Sequence, residues 1–359
     1  MAGLIALNGC SSSSEAEPTP TATPTPTQTQ TPEPEPVFVA APLTGVLYEE
    51  GTNPLLELPA VLAKIDNTSS GRPQLSLNEA DLVYVTRVEV GLTRLLPIWH
   101  SRMPEVIGPV RSVRPVDALI IDAYDGVFVY SGGQVPFKNA AAATGLVMSD
   151  EDTEYGNDTY FREESRVAPW NLWFRSADLQ QRYAAEQPAP KPGFEFDAIP
   201  TAVSQGTPVL GLSVDYPDML SEWELGTAAF PWSQGEEPAW LRTQDRKEHV
   251  QQDGARVVAK NVVVLEVVHD LSFVDPKYGA IPKAKIVDNA GIAHIFSDGH
   301  YLQGTWAKGA QDSHILLFDE AGNPIKLAIG TTWVEMMDLP RSSLDVVLPE
   351  PEPEVETEG

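Results

Sequence analysis

The sequence predicts an α/β N-terminal domain followed by a mainly antiparallel β C-terminal domain. Three observations predict it. Across residues 42–186, β-rich runs alternate with helical patterns, which is the mark of an α/β region. From 207 to 340 the pattern changes to many short β-like runs separated by turn residues. Between them, residues 187–206 open with Gln187-Pro188-Ala189-Pro190-Lys191-Pro192-Gly193, a run that breaks a helix and predicts a linker or a surface crossing.

In the first region, residues 61–65 predict a strand that ends in the polar step Asp66-Asn67. Residues 82–90 (Leu-Val-Tyr-Val-Thr-Arg-Val-Glu-Val) predict a longer strand, and residues 93–100 another after Gly91. Alternation along 82–90 puts Val83, Val85, Arg87 and Glu89 on one face, so that face begins apolar and ends charged. Residues 115–124 read as a helix with Pro115 at its first position, and 126–130 as a strand running into Ser131-Gly132-Gly133. The clearest helix is expected over 171–185, where Leu172, Leu179 and Tyr183 are interspersed among polar residues.

In the second region, strands are expected at 209–214, 262–268, 284–287, 292–296, 301–306, 315–318, 325–328 and 332–336. Asp298-Gly299 is the strongest turn signal. As a two-residue hairpin turn it sets Ser297 opposite His300, Phe296 opposite Tyr301 and His294 opposite Gln303.

Both ends fall outside this body. Residues 11–41 are rich in Pro, Thr, Ser and Glu; as far as Pro36 they hold no bulky apolar residue to offset the entropy of ordering, and read as an extended tether. Residues 1–10 end in Leu7-Asn8-Gly9-Cys10, which resembles a bacterial lipobox and makes Cys10, the only cysteine, the expected lipidation site. No Lys or Arg precedes Lys64, so residues 1–10 are expected to be a truncated lipoprotein signal with its natural start upstream. Residues 341–359 read as an acidic Pro/Glu tail. With 51 acidic against 24 basic residues the formal charge is −27, the opposite of what a nonspecific nucleic-acid binder needs.

The basic residues are unevenly placed. Seven of the 24 fall within residues 64–114, so the first region is able to present a local positive site inside an acidic protein. Arg111 and Arg114, just before the expected helix, are placed to hold a carboxylate or phosphate between two guanidinium forks. Glu89 and Arg94 flank Gly91 and are expected to approach across a tight turn; Asp66, Glu89 and Asp81 are the acids available for proton transfer. A second group, Arg242, His249 and Asp253, is expected to complete a cleft between the domains. Trp223, Trp232 and Trp240, placed in or near loops, offer rings that can stack on sugars; Trp170 and Trp173 are expected to pack at the start of the 171–185 helix, and Trp306 and Trp333 in the β core. Phosphate-loop, dinucleotide and Gly-x-Ser-x-Gly motifs are missing, as are metal-binding His clusters, and neither a cofactor nor a metal is expected.

Several motifs occur in a fixed order: Ile65-Asp66-Asn67, Arg72-Pro73-Gln74, Ala80-Asp81-Leu82-Val83-Tyr84, Glu89, Thr93-Arg94 and Gly108-Pro109-Val110-Arg111-Ser112-Val113-Arg114. Lys260-Asn261-Val262, Phe296-Ser297-Asp298-Gly299, Gly304-Thr305-Trp306 and Gly330-Thr331-Thr332-Trp333 continue the series. Together they resemble the YerB-like bacterial lipoproteins, domain-of-unknown-function family 3048, over residues 43–338. The resemblance implies an N-terminal family domain joined to a distinct C-terminal one, and supports the lipid anchor. It also draws Asn67, Arg72, Glu89, Arg94, Arg111 and Arg114 together as a polar set, and implies no reaction. The family commonly has Gly-Gly before the Thr-Arg step, where this chain has Val90-Gly91-Leu92.

The leading expectation is a lipoprotein anchored to the bacterial cell membrane, facing outside the cytoplasm and binding an anionic or cell-wall-derived ligand. One alternative is an envelope hydrolase using Asp66 or Glu89 as acid or base, with Arg94, Arg111 and Arg114 stabilising negative charge. Another is a structural lipoprotein whose C-terminal sheet recruits an envelope protein.

Overall fold

A computed structural model describes Gly9, residues 35–154 and residues 156–351; signal residues 1–8, Cys10, tether residues 11–34 and tail residues 352–359 lie outside the described residues. One large sheet organises the body. From edge to edge its main path is Thr207–Pro208, His300–Lys308, Asn289–Ser297, Asn261–Asp270, Thr332–Leu339, Leu82–Arg87, Thr93–Trp99, Ala60–Ala63, Gly126–Val129 and Val147–Ser149. The strand Thr332–Leu339 lies parallel to both Asn261–Asp270 and Leu82–Arg87, and so joins the two regions. The first region mixes helices with parallel and antiparallel pairs, and the second is dominated by antiparallel pairing, as the sequence predicts.

The central strands are apolar on both faces because both faces are covered. Leu82 and Tyr84 point into one core with Leu62, Leu96 and Ile98, while Val83 and Val85 point into the other with Val61, Leu95 and Trp99. On the second face lies a smaller sheet built around Gly211–Tyr216, Met219–Ala229 and Glu236–Gln244. The Asp298-Gly299 hairpin has the expected register: Ser297 pairs with His300, Phe296 with Tyr301 and His294 with Gln303. Asp298 and Gly299 have φ of 50° and 76°, the left-handed backbone a two-residue turn of this kind demands.

Other expectations need correction. The first part of the 171–185 segment is a strand, Leu172–Arg175, and only Ser176–Arg182 is helical. Phe174 pairs with Ile107 on one side and Tyr160 on the other, and Leu172 and Phe174 fill the core alternately, so long-range pairing overrides the helical pattern. The strand from Leu82 stops at Arg87, and a 3₁₀ turn, Glu89–Gly91, follows. Residues 187–206 contain a strand, Glu195–Asp197, and a short helix, Thr201–Gln205. The 341–359 segment begins with Ser343–Val347, which pairs along Gly211–Tyr216. Trp223 and Trp240 are on paired strands and buried, so neither ring is free to stack on a sugar. Trp232 is half-buried, stacked on Phe230 and covered by Arg102. Trp306 and Trp333 are in the cores as expected.

Candidate anion-binding pocket

Where Leu82–Arg87 ends and Thr93–Trp99 begins, the chain reverses through Glu89–Gly91 beside a cavity of about 480 Å³. Val90 has φ 57° and ψ 33°, a left-handed conformation that is an outlier for a β-branched residue. Gly91 follows with φ +70°, a left-handed backbone that glycine adopts at no steric cost, close to the carboxylate of Asp218. This reversal turns Glu89 inward and leaves Val90 at the mouth. The floor consists of Asp66, Glu89, Arg94, Arg111, Ser112 and Arg114, and the walls of Leu92, Phe137, Pro169, Trp170, Tyr278 and Ile281. Three guanidiniums against two carboxylates leave one net positive charge in a strongly acidic protein.

Within this floor Arg114 is spent. Its Nε donates to Glu89 Oε2 at 2.6 Å and its Nη2 to Oε1, while Nη1 donates to the carbonyls of Val113 and Ser112. Burial raises the Glu89 carboxyl, but the hydrogen bonds and charge of Arg114, with the charge of Arg94, outweigh it and hold the group at about 2. Beneath, Asp117 Oδ2 accepts the Arg114 backbone N–H at 2.6 Å, and its Oδ1 pairs with fully buried Lys64 at 2.6 Å. Burial lowers Lys64, and Asp117 opposes that shift. These contacts fix the loop that carries Arg111 and Arg114 against the sheet.

Arg94 and Arg111 retain donors. The one hydrogen bond of the Arg94 guanidinium among the described residues goes from Nη1 to Ser112 O at 2.8 Å, and Nη2 stands 3.7 Å from Glu89 Oε1. Burial, with the charge of Arg114, pushes Arg94 down to about 9, which still leaves it charged at neutral pH. Arg111 Nε is 2.7 Å from Asp66 Oδ2, yet neither atom forms an aligned hydrogen bond. Nη1 reaches Pro169 O only at 3.4 Å, Nη2 has no hydrogen bond among the described residues, and the plane lies 5.9 Å from the Trp170 ring. Asp66 is held by Thr68, whose N–H and hydroxyl donate to Oδ1 at 2.7 and 2.5 Å.

The remaining expected site residues lie elsewhere. Asn67 donates to Thr93 Oγ1 and Gln244 Oε1, and Arg72 bonds Gln244 O and Asp245, so both tie the first region to the second. Arg242 and His249 are buried and line no cleft. Arg242 Nη1 donates to His249 Nδ1 at 2.7 Å, which leaves the proton on Nε2 to be given to Gln74 Oε1 at 2.7 Å. Burial first, then Arg242, Arg72 and Arg256, lowers His249 far below its ordinary value, in agreement with that neutral tautomer. Asp253 is exposed and caps Ala255 N. Asp81 accepts the backbone N–H groups of His100 and Ser101 and the Ser101 hydroxyl, a structural use of the carboxylate.

Sequence reasoning missed four walls of the pocket. Trp170 stands beside Arg111, not inside a helix start. Phe137 is on the helix Val135–Ala142, whose apolar pattern is weak. Tyr278 and Ile281 come from the second region, on or beside the hairpin of Val274–Asp275 and Gly279–Ala280, which leans on Glu89–Gly91. The hairpin is fastened to the first region by Gln134 donating to Asp275 and by Phe273 packing 4.9 Å from Phe137. No local signal in the sequence brings residues 137 and 273 together.

Fold and pocket define a two-domain α/β and β protein with an arginine-floored cavity to which both domains contribute walls. Residues 43–189 match the N-terminal domain, and 222–334 the C-terminal domain, of the family described as "Protein of unknown function (DUF3048)", and the chain belongs to that family. It is 25% identical over 312 residues to "Putative lipoprotein YerB" of Bacillus subtilis (strain 168), covering 85% of this chain and 88% of the relative. The crystal structure of YerB protein from Bacillus subtilis shares the fold, with a TM-score of 0.70 and 22% identity, over 86% of this chain and 99% of that one.

Proposed function

We propose that this protein is held on the outer face of the bacterial cell membrane by lipid on Cys10 and binds an anionic, cell-wall-derived ligand in the arginine pocket. The observation that carries the binding reading is the state of Arg111, a cavity-lining guanidinium whose Nε faces Asp66, while its Nη2 has no hydrogen bond among the described residues and its Nη1 only a long one. Such donors favour a planar carboxylate or a phosphate. Arg94 supplies a second cation, and Arg114 keeps Glu89 from competing with the ligand. A carboxyl held at about 2 has no proton to give at neutral pH and little basicity, which favours recognition over acid/base hydrolysis by Glu89. The anchor is supported by Leu7-Asn8-Gly9-Cys10, the polar segment after it and the name of the B. subtilis relative.

Calorimetric titration with inorganic phosphate, acetate and soluble muropeptides tests the pocket. Saturable binding that weakens at least tenfold in Arg111→Ala, with the folded state unchanged, is the expected result; equal affinity in the variant rejects the site. For the anchor, the chain expressed with its full natural leader incorporates labelled palmitate and fractionates with membranes, and Cys10→Ser does neither. A Cys10→Ser protein that stays in the membrane fraction rejects lipid attachment there.

A further inference from the structure

The mouth of the cavity is as distinctive as its floor. Among the described residues 17 large hydrophobic side chains are exposed; two of them, Val90 and Tyr278, line this cavity, and Val135, Val167, Phe273 and Val274 belong to the segments that carry its other lining residues. Val90 and Tyr278 line it directly. Val135 follows the lining residue Gln134 on the helix that carries Phe137. Val167 accepts the backbone N–H of Trp170, and Phe273 packs on Phe137 and leads into Val274, which pairs with Ala280 on the hairpin of Tyr278. Scattered exposed hydrophobics are ordinary, but a collar of them around one cavity marks a contact surface. Val90 is held outward at 61% exposure by a strained backbone, so its position is specified.

Cationic floor and apolar collar are continuous, and one molecule is able to satisfy both. We infer that the ligand is an amphiphile, with its anionic head on Arg111 and Arg94 and its hydrocarbon part lying against the collar. This rests on the anion-binding reading. The hairpin that supplies Tyr278 and Ile281 makes the collar partly a product of the second domain, so the head is read by the first domain and the chain by both.

The test is a chain-length series of alkyl phosphates and alkyl carboxylates, each kept below its micelle concentration and titrated against the full folded body. Affinity is expected to rise up to about fourfold for each methylene buried until the collar is filled, and then to level off. Arg111→Ala lowers every member by the same factor and leaves the slope. The double variant Val90→Asn with Tyr278→Ser, both at exposed positions and with Asn tolerant of left-handed backbone, flattens the slope, and the phosphate binding that remains in it is still lost on Arg111→Ala. Arg111-dependent phosphate binding with a flat slope overturns the amphiphile and spares the anion site. A steep slope that Arg111→Ala and the reversed-charge alkylammonium series both leave unchanged overturns both. Binding to anionic vesicles but to no monomeric amphiphile, or dimerisation through the collar that blocks the series, assigns the collar to a bilayer or a second copy and also overturns the inference.

Discussion

Arg111 in the first domain and Arg242 in the second have matching neighbours. Each stands beside a carboxylate, Asp66 at 2.7 Å and Glu335 at 3.8 Å, and each faces indole rings, Trp170 in one case and Trp223 with Trp333 in the other. Their hydrogen bonding separates them. Arg242 is fully buried with both Nη groups bonded, to His249, Ser221 and Gln244, while Glu335 accepts from Tyr216, Ser221 and Trp223. Arg111 is partly exposed and holds one long bond to a carbonyl. An arginine surrounded by acids and aromatics is therefore a ligand group only where the protein leaves its fork unfilled, and a fastening where it does not.

The largest effect expected from this contrast is in Arg242→Ala. It strands buried Glu335 and is expected to cost about 3–5 kcal/mol in chemical denaturation; a loss below about 1 kcal/mol would remove the distinction between the two sites. Arg114→Ala is next, at about 3 kcal/mol, because Glu89 loses both arms of its clamp. The pH dependence sharpens the same point. Since the folded Glu89 carboxyl lies below its ordinary 4.5, its contribution is full above that value and is lost as the pH falls toward about 2, amounting to about 3 kcal/mol. His249, also depressed when folded, begins to cost stability earlier, as the pH falls below 6.5, because only the unfolded chain takes up the proton. Glu89→Gln should erase the loss that begins below 4.5 in acid denaturation and leave the one that begins near neutrality. The smallest stability effect, about 1–2 kcal/mol by thermal melting, is expected in Arg111→Ala, which removes the cation beside buried Asp66 Oδ2 but leaves Oδ1 held by Thr68, and anion affinity falls tenfold or more.

Much of the second domain was legible because its signals are local. Asp298-Gly299 fixes its hairpin register through two residues that accept left-handed backbone, and alternating apolar runs mark the strands beside it. The Glu89 to Arg94 approach was also visible, since only four residues separate them across Gly91. The Met219–Ala229 and Glu236–Gln244 hairpin was hidden by its Gly, Pro and Glu content, and becomes intelligible only when Trp223 and Trp240 are seen to fill a core made by other strands. Arg111 and Arg114 looked equivalent because a sequence lists guanidiniums without saying which are occupied. The occupant of Arg114, Glu89, is 25 positions away, and the pocket walls Phe137 and Tyr278 are farther apart still.

The strand Thr332–Leu339 has a consequence for how the chain comes into being. It inserts between Asn261–Asp270 and Leu82–Arg87, so the middle of the main sheet is empty until the chain has been made past residue 332. A nascent chain ending before residue 332 would bare the flank of the Leu82 strand to other chains. The insertion also means that neither domain is expected to reach its native structure when produced alone, and that a cut between them would leave two halves that must find each other again to regain the sheet.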